Sequence, residues 1–201
     1  MLSYKILTLG ELETNCYLVW ETETKEAIII DPADEGEFIA DECERLRLKV
    51  KSIGLTHGHF DHVLGAMSLS LIFKVAVGYS FLDKFLLKRQ NDTVKYFLKK
   101  TIRIPSFKNE IDLDQIEAIN LGQDSLKIIK LPGHTPGGIG FYNQKDNWII
   151  SGDTVFADGI GSYDHKYSNK SDLLLSVNKI RKLNEVLILP GHGESTYLSE
   201  F

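Results

Sequence analysis

A two-sheet sandwich covered by helices, a four-layer αββα arrangement of the α/β class, is the fold this sequence predicts. Three observations carry that expectation. Strand-like runs followed by an amphipathic stretch occur twice, once in each half of the 201 residues. Four apolar runs end in a turn bearing a histidine or an aspartate beside glycine. No long linker, low-complexity tract or short-period repeat breaks the order, so a single domain over residues 1–201 is expected.

Ser3–Thr8, Asn15–Trp20 and Ala27–Ile30 are short β-rich runs separated by polar turns, and they read as an antiparallel meander. Asp31-Pro32 stops the third run; Asp31 is either a turn former or a group close to the histidine loop that follows. Phe38, Ile39, Cys43 and Leu46 recur at helical spacing, which predicts a helix over Glu35–Leu48. Val50–Leu55 is the next strand, Val63–Ile72 a short helix whose dipole would favour a carboxylate at Asp61, and Lys74–Val77 a strand. Tyr79–Lys100 mixes aromatic residues with lysines and predicts one or two amphipathic helices. In the second half, Ile116–Ile119, Ser125–Leu131, Ile139–Tyr142 and Trp148–Ile150 are strands. Leu173, Leu174, Val177 and Ile180 form a helix stripe within Ser171–Leu183, with Ser171 as the expected N-cap, and Val186–Leu189 is the last strand.

Composition excludes several classes. Hydrophobic residues at 43% and charged residues at 25% are ordinary for a globular protein. No apolar run approaches the roughly 18–20 residues of a membrane span, so no membrane partner is expected. The first residues, Met1 to Lys5, lack a signal-peptide layout, which predicts a cytoplasmic protein. Cys16 and Cys43 are the only cysteines and have no CxxC spacing, so free thiols are expected rather than a disulfide or a thiolate metal site. A net charge of −5 gives no general attraction for nucleic acid. The charge is uneven, however: Ser80–Glu110 holds eight Lys/Arg (84, 88, 89, 95, 99, 100, 103 and 108) against three Asp/Glu (83, 92 and 110). That segment is a solvated helix face or a binding surface for the anionic part of a small substrate.

The densest chemistry lies in Thr56-His57-Gly58-His59-Phe60-Asp61-His62, directly after an apolar strand. Alternate residues of extended chain point the same way, so His57 and His59 can face one point. The following turn can aim Asp61 and His62 at a second point about 3.5–4 Å away, the spacing of a two-metal site. His134 in Pro132-Gly133-His134, Asp153 in Gly152-Asp153 and His192 in Pro190-Gly191-His192 each follow a strand-like run in the same manner. Strand ends that converge are a rigid frame for metal ligands. His165, in a Gly- and Tyr-rich loop after Asp153, reads as a surface histidine, with a place in the substrate pocket as the alternative.

His57-x-His59-x-Asp61-His62 followed by His134, Asp153 and His192 resembles the metallo-β-lactamase fold superfamily. Asn15-Cys16-Tyr17-Leu18-Val19, Ile30-Asp31-Pro32, Pro132 to Gly137, Ser151 to Phe156 and Pro190-Gly191-His192 are similar to its glyoxalase II-like branch. The resemblance implies one metal on His57, His59 and His134, a second on Asp61, His62 and His192, and Asp153 bridging the two. Two divalent ions are then expected, zinc first, with iron or manganese as alternatives. A water shared by two such cations is acidified into a nucleophile, and Asp61 is the residue expected to orient it or shuttle its proton.

The resemblance implies a hydrolase of small acyl-thioesters. The chain departs from the glutathione-using relatives in two ways. It ends nine residues after His192 (201 − 192), without their C-terminal basic region, and it has Ser162 where they carry Arg or Lys. A phosphodiesterase, nuclease or lactonase of the same fold is the alternative, and a one-iron persulfide dioxygenase-like oxidoreductase is another. The presence of both His62 and His192 argues against the last. Oligomeric state is left open by the sequence.

Overall fold

The computed structural model describes residues 1–102 and 104–197; Arg103, counted above in the basic segment, and Leu198 to Phe201 lie outside the described residues. Two six-stranded sheets form the centre. In the first, β1 (Leu2–Leu9), β2 (Thr14–Glu21) and β3 (Glu26–Ile30) make the expected antiparallel meander. β4 (Lys49–Gly54), β5 (Val77–Tyr79) and β6 (Glu110–Asp112) then add in parallel. The second sheet takes β7 (Ala118–Leu121), β8 (Asp124–Lys130), β9 (Ile139–Asn143) and β10 (Trp148–Gly152) as antiparallel neighbours. A ribbon of β11 (Val155–Phe156) and β12 (Gly159–Ile160) follows, and β13 (Leu187–Pro190) returns parallel to β10 with β14 (Thr196–Tyr197) on its outer edge.

The two-residue period of the strands divides the core into layers. Tyr17, Val19, Ile28 and Ile30 face inward onto Leu126, Ile139, Phe141 and Ile150 of the other sheet. Their alternates Cys16, Leu18 and Ile29 face outward with Ile53, onto Ile39 and Cys43 of α1 (Gly36–Arg45) and Ala66 and Leu69 of α2 (Ala66–Phe73). On the opposite side Val177 and Ile180 of α5 (Lys170–Arg181) pack on Leu131, Ile149 and Ile188. Helix, sheet, sheet and helix are therefore separated by three apolar interfaces, the αββα order that the sequence implies. Each fully buried aliphatic or Phe side chain in them contributes about 1.5–3 kcal/mol.

Some boundaries differ from the sequence reading. Residues 74–76 are not strand, because Lys74 closes α2 in a left-handed conformation (φ 56°) and β5 starts only at Val77. The helix expected from Val63 begins at Ala66, after a separate 3₁₀ turn over Phe60–His62, so its dipole is displaced from Asp61. The N-cap of α5 is Asn169 rather than Ser171, since its side-chain oxygen accepts from the N–H groups of Ser171 and Asp172. The aromatic, lysine-rich stretch forms two helices, α3 (Lys84–Lys88) and α4 (Gln90–Phe97). Among the described residues no helix is long and apolar enough to cross a membrane.

Candidate metal centre

β4, β8, β10 and β13 all run towards one edge of the sandwich, and the loops leaving them hold the seven residues singled out above. The sheets are clasped there by main-chain bonds: Ile139 N–H donates to Thr56 O and Asn15 N–H to Gly191 O, each at 2.8 Å. Asn15 Nδ2 donates to Pro190 O and Gly193 O, and the Tyr17 hydroxyl donates to Pro190 O at 2.6 Å. The Asn15-Cys16-Tyr17 motif thus seats the loop that carries His192. Gly54 lets the sheets close on each other, because a Cβ there would meet Phe141 Cζ at 2.7 Å.

The seven side chains fall into two groups, His57, His59, His134 and Asp153 in one and Asp61, His62 and His192 in the other. In the first, His59 Nδ1 lies 3.0 Å from His57 Nε2 and 3.1 Å from His134 Nε2. In the second, Asp61 Oδ2 lies 3.5 Å from His62 Nε2 and 3.3 Å from His192 Nε2. Asp153 reaches both: Oδ2 is 3.9 Å from His57 Nε2 and 3.6 Å from His134 Nε2, and Oδ1 is 3.4 Å from His62 Nε2. Gly191 makes room for it, since a Cβ at 191 would run into Asp153 Oδ1.

The outer nitrogen of each imidazole is held by another group, which fixes the ring and turns its inner nitrogen towards the centre. His134 Nδ1 donates to Ser162 O at 2.7 Å and His192 Nδ1 to Leu12 O at 3.0 Å. His62 Nδ1 donates to Asp31 Oδ2 at 2.8 Å. His57 Nδ1 donates to Thr56 Oγ1 at 3.0 Å, and Thr56 Oγ1 donates in turn to Asp31 Oδ2 at 2.6 Å. Asp31, fully buried and at φ 50°, therefore orients one histidine of each group. It is a turn residue and a neighbour of the site at once. His59 Nε2 donates to the Tyr167 hydroxyl at 2.8 Å.

The electrostatics suit a cation. Burial, then the neighbouring imidazoles, hold His57 well below the usual histidine range and His59 down at about 3, so both are neutral donors. Burial opposes charge on Asp61 and Asp153, yet His62 and its neighbours outweigh it and keep both carboxyls below their ordinary range. His62 is raised against the effect of its own burial by Asp61, Asp153 and Asp31, a field that favours any positive charge. His62 Nε2 and Asp153 Oδ1 are buried atoms with no hydrogen-bond partner, which is the expected state of groups whose proper partner is a metal ion. Neither cysteine belongs to the site: burial raises the Cys16 thiol well above its usual range and Cys43 to about 12.

Three residues around the site were not legible as functional in the sequence. Thr14 Oγ1 donates to Asp61 Oδ2 at 3.0 Å. Asp83, counted above among the charges of the basic segment, is fully buried. It accepts from Gly58 N–H at 2.9 Å, Thr135 Oγ1 at 2.7 Å and Gly137 N–H at 2.7 Å, tying the loop of His57 to the loop of His134. Tyr167 is the third. His165 is exposed but not remote; its ring stacks on Tyr167 at 5.1 Å between centroids and stands 5.4 Å from His59. Beside His192, an open cavity of about 490 Å³ is lined by Phe156, Ala157, Asp158, Gly193 and Glu194. A wider depression of about 700 Å³ between α1 and α2 carries no histidine and no part of this cluster.

Comparison with known proteins follows the same outline. The model of the metallo-beta-lactamase superfamily matches residues 9–192. Hydroxyacylglutathione hydrolase GloC of Haemophilus influenzae is 34% identical over 99% of this chain and 94% of its own length. Among solved structures, BLEG-1 B3 metallo-beta-lactamase superposes with a TM-score of 0.87 at 27% identity, covering 97% of this chain and 94% of that one. TTHA1623 in a di-iron-bound form superposes with a TM-score of 0.84 at 32% identity, covering 96% of this chain and 94% of that one.

Proposed function

The chain belongs to the metallo-beta-lactamase superfamily, and from that premise we propose that it is a dinuclear metal-dependent hydrolase of small acyl-thioesters. The observation that carries the reading is Asp153, whose carboxylate stands within 4 Å of inner nitrogens in both groups. His57, His59 and His134 would hold one ion, Asp61, His62 and His192 the other, and Asp153 both. Two divalent ions bound there supply an acidified water and polarise the scissile carbonyl. Zinc suits the three-imidazole group and iron remains open for both, as the di-iron form of TTHA1623 illustrates.

The chain's own part is orientation. Asp61 is ionised, and its Oδ2, already steadied by Thr14, would orient a water between the two groups or shuttle its proton. Asp31 and Thr56 would aim the inner nitrogens of His62 and His57 at the centre. Tyr167 does the same for His59. Tyr167→Phe is expected to weaken metal binding at the first group about tenfold, at the lower end of the range for partners of ligating histidines. A competition titration against a chelator measures it, and unchanged affinity would remove Tyr167 from this role.

The thioester reading is supported by the near full-length similarity to GloC. Turnover should be measured on acyl-thioesters, a lactone, a β-lactam, bis-p-nitrophenyl phosphate and a persulfide, with metal content determined on the same sample. Thioesters are expected to lead by kcat/KM. A protein that turns over the phosphodiester or the persulfide and no thioester would overturn the assignment.

A further inference from the structure

The two groups of side chains are held from different sides of the molecule. Residues 12–17, where β2 leaves the first hairpin, serve the second group. Leu12 O accepts from His192 Nδ1, Thr14 Oγ1 donates to Asp61 Oδ2, and Asn15 and Tyr17 seat the loop of His192 through Pro190 O. The first group is held from the start of α3. Asp83, fully buried, directly precedes that helix and ends its three hydrogen bonds on Gly58, Thr135 and Gly137. Gly58 stands between His57 and His59, and Thr135 follows His134. One carboxylate therefore spans the chain segments that carry all three imidazoles.

The fit is close on both sides of that carboxylate. A Cβ at Gly58 would meet Asp83 Cβ and Leu86 Cβ, each at 3.0 Å, and a Cβ at Gly137 would meet Asp83 Cγ at 2.7 Å. The two glycines thus let both loops close on Asp83. α3 adds a further link. Its Phe85 ring meets Tyr167 edge-on at 5.4 Å between centroids, and the Tyr167 hydroxyl holds His59 Nε2 at 2.8 Å. A carboxylate, with two acceptor oxygens, can take two main-chain N–H groups and a hydroxyl at once.

Resting on the dinuclear reading above, we infer that Asp83 is a positioning residue for the first metal position alone. It sets the spread of His57, His59 and His134, while residues 12–17 set Asp61 and His192. The affinities of the two positions are then tuned from separate elements of the fold. Asp31 and Asp153, which reach both groups, are shared by them.

Variants with a single position left separate the two affinities. His192→Ala keeps the three imidazoles with Asp153, and His134→Ala keeps Asp61, His62 and His192. Zinc ion is the probe, competed against a chelator on the full chain. Asp83→Asn keeps the volume but presents one acceptor oxygen and one NH₂. Whichever way the amide is set, either Gly58 N–H or Gly137 N–H then faces a donor. On the His192→Ala background it is expected to weaken zinc about tenfold. On the His134→Ala background it should change affinity by less than about twofold. Thr14→Val, which removes the hydroxyl from Asp61, is expected to give the reverse pattern. Equal weakening of both positions by Asp83→Asn, no weakening of the first, or a larger effect on the second would overturn the inference. Should Asp83→Asn not fold, Thr135→Val removes one of the three bonds at unchanged shape, and the same outcomes decide. A chain that holds zinc on neither background would sink the dinuclear reading separately. Amide hydrogen exchange of the metal-free protein then decides the role of Asp83. Asp83→Asn should speed exchange at Gly58 and Gly137 and leave Asn15 and Gly191, which bond across the other clasp, unchanged. No change at Gly58 and Gly137, or equally faster exchange at all four, overturns it.

Discussion

Asp153→Ala is expected to reduce turnover by about a thousandfold or more and to leave fewer than two metal ions bound per chain. The carboxylate is surrounded by four inner nitrogens, those of His57, His62, His134 and His192, at 3.4 to 3.9 Å. Among the described residues it is the one acid that touches both groups. On the dinuclear reading, removing it would leave two cation sites with no shared anion to balance them, and the loss of several kcal/mol of charge stabilisation corresponds to at least three orders of magnitude in rate. Asp153→Asn keeps the volume and tests charge alone; it should fall nearly as far. His165→Ala should cost less than about tenfold, because that ring stands at the rim and reaches the first group only through ring contacts. Equal, large losses at Asp153 and His165 would move His165 into the reacting centre.

Asp31→Ala is expected to destabilise the metal-free protein by about 3–5 kcal/mol, the cost of removing one partner from a buried, charged hydrogen-bond set. Thr56 N–H, Thr56 Oγ1–H and His62 Nδ1–H all lose their acceptor. For a chain of this length the melting temperature should fall by roughly 10 °C. Asp31→Asn tolerates the left-handed backbone better. It places an NH₂ against at least one of those donors, so it should also destabilise, by less, and turn the His62 proton towards the inner nitrogen. Thermal unfolding in excess chelator separates this effect from metal binding. Unchanged melting and unchanged metal affinity in both variants would refute the role given to Asp31.

Much of this arrangement was legible because its signals are local. A histidine or aspartate at the end of an apolar run, beside a glycine, is visible within six residues, and the layers follow from the alternation of Tyr17, Val19, Ile28 and Ile30 with Leu18 and Ile29. What escaped depends on long-range contacts. Asp83 finds its donors 25 to 54 residues away, and Tyr167 meets His59 across 108. Neither has a motif; an aspartate among lysines reads as a surface charge until its burial is known. The short edge strands β6 and β14 also escaped, since Glu110–Asp112 and Thr196–Tyr197 have no apolar period of their own. The boundary at Lys74 was misplaced because a lysine closing a helix in left-handed conformation gives no residue-type signal, unlike a glycine.

Metal stoichiometry tests the central claim most directly. Protein purified gently, without chelators, and analysed by inductively coupled plasma mass spectrometry should contain about two equivalents of transition metal per chain, falling in Asp153→Ala and in His62→Ala. One equivalent at saturation, or a wild-type protein that never holds more than traces, would contradict the dinuclear centre.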